Sequence, residues 1–317
     1  MSDERSHNES MVVPAEADAD LPAELGVVPD SIEQDGRTAS LWGDAWRQLR
    51  RRPMFIISAI AIIGLVIIAL FPGVFATHDP RDCPLIDSLL RPSGEHWFGT
   101  DIQGCDYYSR TIYGTRVSIT IGILVTIFAT FIAIVGGAVA GYYGRAIDSI
   151  IARITDIWFV IPTILGGIVI LNLLQNRGVP QVSLVLIVLG WPTMLRLVRS
   201  SVLSAKSHDY VDAARAMGAG NFRVITRHIL PNSLAPVIVY AAITVGVVIA
   251  AEAALSFLGV GLQLPAISWG LMISVAQTRI ITAPHLLVFP GAFLSVTVFA
   301  FILMGDALRD ALDPKLR

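Results

Sequence analysis

Six long apolar segments alternate with polar and charged stretches along this 317-residue chain. Each is uncharged over most of its length and long enough for the roughly 20 helical residues that cross a bilayer. The predicted spans are residues 54–75, 117–143, 150–174, 181–203, 231–258 and 286–305. A helix satisfies its backbone hydrogen bonds internally, as lipid requires. The pattern therefore predicts an all-α polytopic membrane protein with six transmembrane helices.

Residues 259–283 are mostly uncharged and are long enough for a seventh span, which would put the C-terminus outside. Gly259, Gly261, Pro265 and Gly270 would break a helix there. Because irregular backbone is tolerated at membrane depth only where protein or water covers it, we expect a re-entrant or surface-lying outer segment.

Three features modify individual spans. Pro162 predicts a kink in the third span, and Trp191-Pro192 predicts a distortion of the fourth. Gly137 and Gly141 form a G-x-x-x-G pair in the second span. Such a pair either permits close packing of another helix or simply faces lipid.

Composition agrees with the hydropathy pattern. Hydrophobic residues make up 54% and charged residues 15% of the chain, and the mean hydropathy is +0.66. Soluble domains have about 45–50% apolar and 25% charged residues. Residues 1–40 are acidic, polar and poor in aromatics, which predicts a disordered tail rather than a signal peptide.

Basic residues predict the orientation. Residues 41–53 form a basic, Trp-containing segment expected as an interfacial helix on the inner face, in contact with lipid. Arg50, Arg51 and Arg52 precede the first span, and the most basic loop lies between the fourth and fifth spans. By the positive-inside rule, both termini are expected in the cytoplasm of a multi-pass protein of the cytoplasmic membrane.

That basic loop, residues 209–231, carries the most informative motif. Asp209 is expected to cap a first short helix, Gly218 and Gly220 to end it, and Asn221 to cap a second one that ends at a proline. The result is a small cytoplasmic helix–turn–helix. Its small alanines would let another protein approach the backbone closely.

The spacing resembles the EAA motif of ABC importer permeases, E-A-A-x3-G-x9-I-x-L-P, with Asp212 for Glu and His228 for Ile. The resemblance implies a coupling helix that docks into an ATPase subunit. The residues expected to carry coupling are Tyr210, Asp212, Ala213, Ala214, Met217, Gly218, Ala219 and Pro231.

Three further stretches resemble permeases of the dipeptide, oligopeptide and nickel type. Residues 98–118 read F-G-T-D-I-Q-G-C-D-Y-Y-S-R-T-I-Y-G-T-R-V-S, with Cys105 in place of the usual Arg. The others are A-E-A-A-L-S-F-L-G-V-G with P-A-I-S-W-G, over 251–270, and the C-terminal D-A-L-R-D-A-L-D-P-K-L-R. The likeness covers about residues 41–317 and is greatest to the C-type permease.

The resemblance implies the type I ABC importer fold and a subunit that moves di- or oligopeptides. The expected partners are a B-type permease, two ATPase subunits (or one fused ATPase) and an extracytoplasmic substrate-binding protein, with no nucleic acid. ATP and Mg would be bound by the ATPases, and no cofactor by this chain. The alternatives are transport of nickel or another small solute, or a secondary transporter, which would need intramembrane charges and internal repeats.

Cys83 and Cys105 are the two cysteines of the chain, and both fall in the predicted outer loop, residues 78–115. Thiols on the oxidising side are readily bridged. We therefore expect a disulfide, worth about 3 kcal/mol by loop entropy. Free thiols are the alternative.

Glu252 is the carboxylate deepest within an apolar segment. A charge in such a position faces protein or water. It could line the transport pathway, pair with a neighbouring permease, or act as a structural hydrogen-bond acceptor near the outer end of its span.

Several chemistries have no motif in the chain. There is no G-x-x-x-x-G-K-[ST] phosphate loop, so ATP hydrolysis by that route is excluded. H-E-x-x-H, C-x-x-C and G-x-S-x-G are also missing, and the six histidines are scattered. We therefore expect neither an enzyme nor a metal site.

Overall fold

A computed structural model describes residues 43, 46, 47 and 49–312. The predicted disordered tail, most of the interfacial segment and the last five residues lie outside the described residues. The principal helices are α1 Pro53–Leu70, α2 Tyr107–Tyr143, α3 Arg145–Phe159, α4 Thr163–Leu173, α5 Val179–Lys206, α6 Asp209–Ala216, α7 Asn221–Phe257, α8 Trp269–Ala276 and α9 His285–Leu312. Shorter helical turns cover Pro72–Phe75, Leu85–Asp87 and Gln277–Arg279.

Within residues 49–312, five helices are long and apolar enough to cross a membrane: α1, α2, α5, α7 and α9. Helices α3 and α4, which meet at an angle of 81°, add a sixth if the bent pair is counted as one span. The predicted all-α membrane architecture is confirmed.

The third span is broken rather than kinked. Helix α3 ends at Phe159, and α4 restarts at Thr163 with Pro162 in an extended conformation at its N-cap. Proline disfavours a helical conformation at the preceding residue, so the chain can turn sharply here.

Helix α5, in contrast, continues through Pro192. A proline inside a helix leaves the carbonyl four residues earlier without its N–H donor. The indole Nε1 of Trp158 donates to this carbonyl, that of Val188, at 2.6 Å. Trp158 belongs to α3. A hydrogen bond from another helix therefore replaces the backbone hydrogen bond that Pro192 cannot make, and α5 stays continuous.

Helix α2 begins ten residues before the predicted second span and takes up the end of the predicted outer loop. Asp106 is its N-cap, and its side chain accepts from the Ser109 N–H at 2.8 Å. Tyr107 is buried, and its hydroxyl donates to the Leu286 carbonyl at 2.7 Å. Contacts with α9 therefore stabilise a helical conformation at the start of α2, where the polar sequence predicts a loop.

The glycine pair of α2 packs against α5. A Cβ added at Gly137 would lie 2.7 Å from the Val198 Cβ, and one at Gly141 would lie 2.8 Å from the Val202 Cγ1. Of the two alternatives left open by the sequence, close helix packing is therefore the correct one.

The segment from 259 to 283 contains the eight-residue helix α8 and the helical turn Gln277–Arg279, and neither is long enough for a seventh span. Gly270 lies inside this helix instead of breaking it. A Cβ there would be 2.6 Å from the Ala253 Cα, so glycine lets α8 approach α7 closely. Trp269 is fully buried, and its indole donates to the Thr111 carbonyl of α2 at 3.0 Å.

Candidate functional site

Helix α6 lies between the C-terminal end of α5 and the N-terminal end of α7, at the predicted coupling position. His208 is its N-cap residue and makes no side-chain capping bond, so the predicted Asp209 cap is wrong. Asp209 and Asp212 both fall in the first turn, where negative charge interacts favourably with the helix dipole.

The turn after α6 requires a glycine. Gly218 has a φ of +81°, in the left-handed region that disfavours L-residues with a Cβ. A Cβ added at Gly218 would meet nothing within 4 Å, so backbone conformation, not space, selects glycine here.

The second predicted helix does not end at Pro231. It continues as α7, with a π-helical turn at Val224–Ile229 immediately before the proline region. Side chains satisfy nearby carbonyls: Asn232 Nδ2 donates to His228 O at 2.7 Å, and Ser233 Oγ to Ile229 O at 2.9 Å. The region predicted to carry coupling is therefore directly continuous with the apolar helix α7.

One face of α6 packs into the protein. Val211 and Ala214 are buried, and Val211 joins a core cluster with Val224, Ile229 and residues of α5. The prediction that both alanines face a partner is wrong for Ala214, because this side chain packs inside the chain. Ala213 is exposed.

Other side chains of α6 and of the residues that follow it are exposed. Met217 and Phe222 are each 81% exposed, and Tyr210 is 37% exposed. Asp212 pairs with Arg215 at 3.2 Å. We call these five residues the docking surface, after the predicted role of this region. Large exposed apolar side chains close together in the sequence are typical of a site of interaction.

Tyr142, at the C-terminal end of α2, connects this region to the membrane helices. Its hydroxyl donates to the Asn221 Oδ1 at 2.8 Å, and its carbonyl accepts from Lys206 Nζ. The Arg215 guanidinium lies 5.4 Å from the centre of its ring. Asn221 therefore bonds Tyr142 instead of capping a helix as predicted. The sequence analysis missed Tyr142, whose only local signal is an aromatic residue at the end of an apolar span.

Glu252 is fully buried and holds the outer segment to α7. Its Oε1 accepts from Ser256 Oγ at 2.8 Å and from Ser268 Oγ at 3.0 Å. Ser268 also caps α8 by accepting from the Leu271 N–H at 3.2 Å. The geometry supports the structural hydrogen-bond role among the alternatives.

A cavity of about 330 Å³ lies beside the break in the third span. Trp158, Phe159 and Pro162 line it from the break, and Tyr240 and Thr244 line it from α7. The break in the third span therefore borders a cavity that α7 also lines.

The outer loop carries a disulfide between Cys83 and Cys105. Next to it, Arg110 forms an ion pair with Asp101. The bridge closes a loop with a sequence separation of 22 residues, so it restricts the unfolded chain considerably.

We expect Cys83→Ser to lower the free energy of unfolding by about 3 kcal/mol, because the unfolded state regains loop entropy. Thermal unfolding in detergent would measure this, with fully reduced wild type as the matched control. Two reactive thiols in the unreduced wild-type protein would contradict the disulfide.

The scattered histidines are partly brought together. His78 and His96 meet Asp106 in the outer loop, with ligand-type atoms within 4.8 Å of one another. The sequence analysis missed this cluster because its members are separated by loop residues whose path no local pattern specifies.

Comparison with known proteins gives two family matches. Residues 133–317 match the family described as the binding-protein-dependent transport system inner membrane component. Residues 40–92 match the N-terminal TM domain of oligopeptide transport permease C.

Curated relatives cover nearly the whole chain. The dipeptide transport system permease protein DppC of Bacillus subtilis is 36% identical over 97% of this chain and 100% of its own. OppC, the oligopeptide transport system permease protein of the same organism, is 35% identical over 91% of this chain and 94% of its own. The glutathione transport system permease protein GsiD of Pectobacterium atrosepticum is 36% identical over 93% and 97%.

A solved structure of the MetNI methionine ABC transporter, in an inward-facing conformation, is similar with a TM-score of 0.54. The match covers 64% of this chain and 96% of that chain at 19% identity. It supports the ABC importer permease fold.

Proposed function

The chain belongs to the family of binding-protein-dependent transport system inner membrane components, and from that premise we propose that it moves short peptides inward, driven by ATP hydrolysis on separate subunits. It is a non-catalytic, multi-span membrane component of an ABC importer of the peptide and glutathione type. ATP and Mg belong, in this proposal, to the partner ATPases.

The docking surface carries this proposal. Met217 and Phe222 expose large apolar side chains on an element held at both ends by membrane helices. An ATPase groove with apolar walls would bury them. Exposed Asp212 and Arg215 would contribute to orientation at the rim, where charges affect specificity more than affinity.

The mechanism follows from how α6 is attached. ATP binding would close the two ATPases and displace α6, which cannot move alone. Its inner face packs with α5 and α7, and Tyr142 links the adjacent turn to α2. A shift of α6 would therefore tilt these spans and change access to the cavity beside Pro162. ATP acts here through its differential affinity for the two states.

The remaining partners complete the proposed importer. A B-type permease would form the other half of the pathway, and an extracytoplasmic binding protein would deliver substrate to the outer loop and the segment 259–283. Two ATPase subunits, or one fused ATPase, would occupy the cytoplasmic face together with both termini of this chain.

Peptides are favoured as substrate because the similar curated proteins are named for dipeptide, oligopeptide and glutathione transport. Nickel or another small solute is the alternative within this family. Uptake of a labelled dipeptide and of Ni²⁺ by proteoliposomes holding the whole complex would separate them, since only the true substrate should enter in an ATP-dependent manner.

We expect Met217→Glu combined with Phe222→Glu to remove the ATPases from the purified complex. Truncating one buried interface anchor costs about 2 kcal/mol or more, so ATPase affinity should fall by at least about 30-fold. Co-purification of the ATPases with tagged permease measures the loss.

The matched control is Leu85→Glu combined with Ile86→Glu, which places the same two charges on side chains of the outer loop that are 76% and 91% exposed. It should keep its ATPases. Unchanged ATPase recovery with the double variant would show that docking occurs elsewhere. Wild type that purifies alone and transports in liposomes without ATP would contradict the importer proposal itself.

A further inference from the structure

Two histidines and an aspartate from separate parts of the outer loop converge on one point. The Nδ1 of His96 lies 2.9 Å from the Asp106 Oδ1, and the Nδ1 of His78 lies 3.7 Å from the same oxygen. The two imidazole rings are 5.0 Å apart between centroids. Three different ligand-type atoms are thus directed to one small volume.

Hydrogen bonds hold each of the three residues in this position. The other carboxylate oxygen of Asp106 accepts from the Ser109 N–H, so Oδ1 faces the histidines. The backbone N–H of His78 donates to Ser109 Oγ at 3.0 Å, and that of His96 donates to Ser93 Oγ at 3.1 Å. The arrangement is therefore fixed by contacts outside the cluster itself.

We propose that His78, His96 and Asp106 bind a divalent transition-metal ion of the zinc type. Zinc bonds of about 2.0–2.2 Å in tetrahedral geometry separate neighbouring ligand atoms by roughly 3.3 Å. The separations of 2.9 and 3.7 Å to Asp106 lie on either side of that value. Two imidazoles among three ligands favour zinc-like ions over Ca²⁺ or Mg²⁺, which take oxygen ligands.

Burial is compatible with entry of an ion. The side chains of Asp106 and His96 are 2% and 12% exposed, whereas that of His78 is 39% exposed. His78 also lines an open cleft of about 550 Å³ together with Thr77 and Tyr113. An ion can therefore reach the site from the cleft, and water can fill the fourth position, as in zinc sites with three protein ligands.

A plain hydrogen bond between His96 and Asp106 is the simpler explanation. It accounts for the 2.9 Å contact, and the Nδ1 of His78 also lies within hydrogen-bond distance of Thr77 Oγ1, at 3.1 Å. Neither bond explains why His78 also approaches the Asp106 oxygen at 3.7 Å. A bound ion accounts for both contacts. It would join the start of the outer loop, its middle and the N-terminus of α2, as a second cross-link beside the disulfide.

The test uses full-length protein, carrying an affinity tag without histidine, treated with chelator and titrated with Zn²⁺ alone. We expect one tight site per chain in wild type. In His78→Gln the affinity should fall by more than about 100-fold, since loss of even an outer-shell partner costs about 10–100-fold. Zn²⁺ should raise the thermal midpoint of wild type and not of this variant.

The matched control is His208→Gln, which removes a histidine beside α6, outside the cluster, and should leave Zn²⁺ affinity unchanged. His78 is partly exposed, so His78→Gln is expected to fold, and an intact disulfide with an unchanged elution profile would verify this. Equal Zn²⁺ affinity in wild type and His78→Gln would overturn the proposal, as would the lack of a stoichiometric site in wild type.

Discussion

Gly141→Leu should strongly lower the stability of the membrane core where α2 packs against α5. A Cβ at Gly141 would lie 2.8 Å from the Val202 Cγ1 and 3.0 Å from the Arg199 carbonyl oxygen. A rotamer change can move the valine, but the carbonyl belongs to α5 itself. The leucine therefore forces α2 and α5 apart.

The expected cost is roughly 3 kcal/mol, at the upper end for overpacked cores, because backbone must move. We also expect a lower rate of ATP-dependent uptake. Arg199 forms a bidentate ion pair with Asp148, and Lys206 donates to the Tyr142 carbonyl. Displacement of α5 would therefore alter the contacts of its C-terminal half with α3 and α2. Thermal unfolding in detergent and ATP-dependent uptake would measure the two effects.

The control is Gly64→Leu in α1, where an added Cβ meets nothing within 4 Å. It introduces the same side chain into another membrane helix and should leave the unfolding midpoint unchanged. If Gly141→Leu is as stable as this control, the glycine pair does not determine the packing of α2 on α5.

Glu252→Leu should detach the outer segment and abolish transport. The substitution removes both hydrogen bonds to the carboxylate and leaves the hydroxyls of Ser256 and Ser268 buried without their acceptor. Together these losses amount to about 3–6 kcal/mol. The expected consequence is an outer segment that opens while the membrane helices remain folded.

Limited trypsin digestion can detect this opening, because Arg279 lies in the outer segment just after α8. Cleavage there should become faster in Glu252→Leu than in wild type. An unchanged cleavage rate together with intact transport would show that the Glu252 hydrogen bonds do not hold the segment.

Glu252→Gln distinguishes structure from charge. The amide oxygen of glutamine can accept from both serines, and the Oε2 of Glu252 has no hydrogen-bond partner within residues 49–312. This variant should keep slow cleavage and normal transport. Lost transport with an intact outer segment would instead indicate that the carboxylate charge itself is needed.

Hydropathy alone predicts the spans. Each span must cross roughly 30 Å of hydrocarbon, which requires a continuous run of apolar residues that is visible in the sequence. The site of the third-span break is also local, since Pro162 restricts the backbone wherever the helix packs. Residue type and spacing in the motif at 209–231 likewise predict the position of α6. Gly218 predicts the position of the turn that follows this helix. These features depend on neighbours along the chain, so a local pattern is enough to predict them.

Local patterns are insufficient where a distant element supplies the partner. Asp209 and Asn221 are good caps by type, yet neither caps its helix, and Asn221 bonds Tyr142 instead. Pro192 predicts a distortion, yet α5 remains a single helix because Trp158 donates to the freed carbonyl. The polar residues 107–116 predict a loop. They nevertheless form the start of α2, because they make contacts with α8 and α9.

The order of residues is thus sufficient to predict the membrane class, the positions of the apolar helices and the position of α6. The folded chain is needed to learn which face of α6 is exposed, that Glu252 bonds Ser268, and that His78 and His96 meet at Asp106. The physical reason is that packing against remote helices fixes these contacts, and separation along the chain carries no information about it.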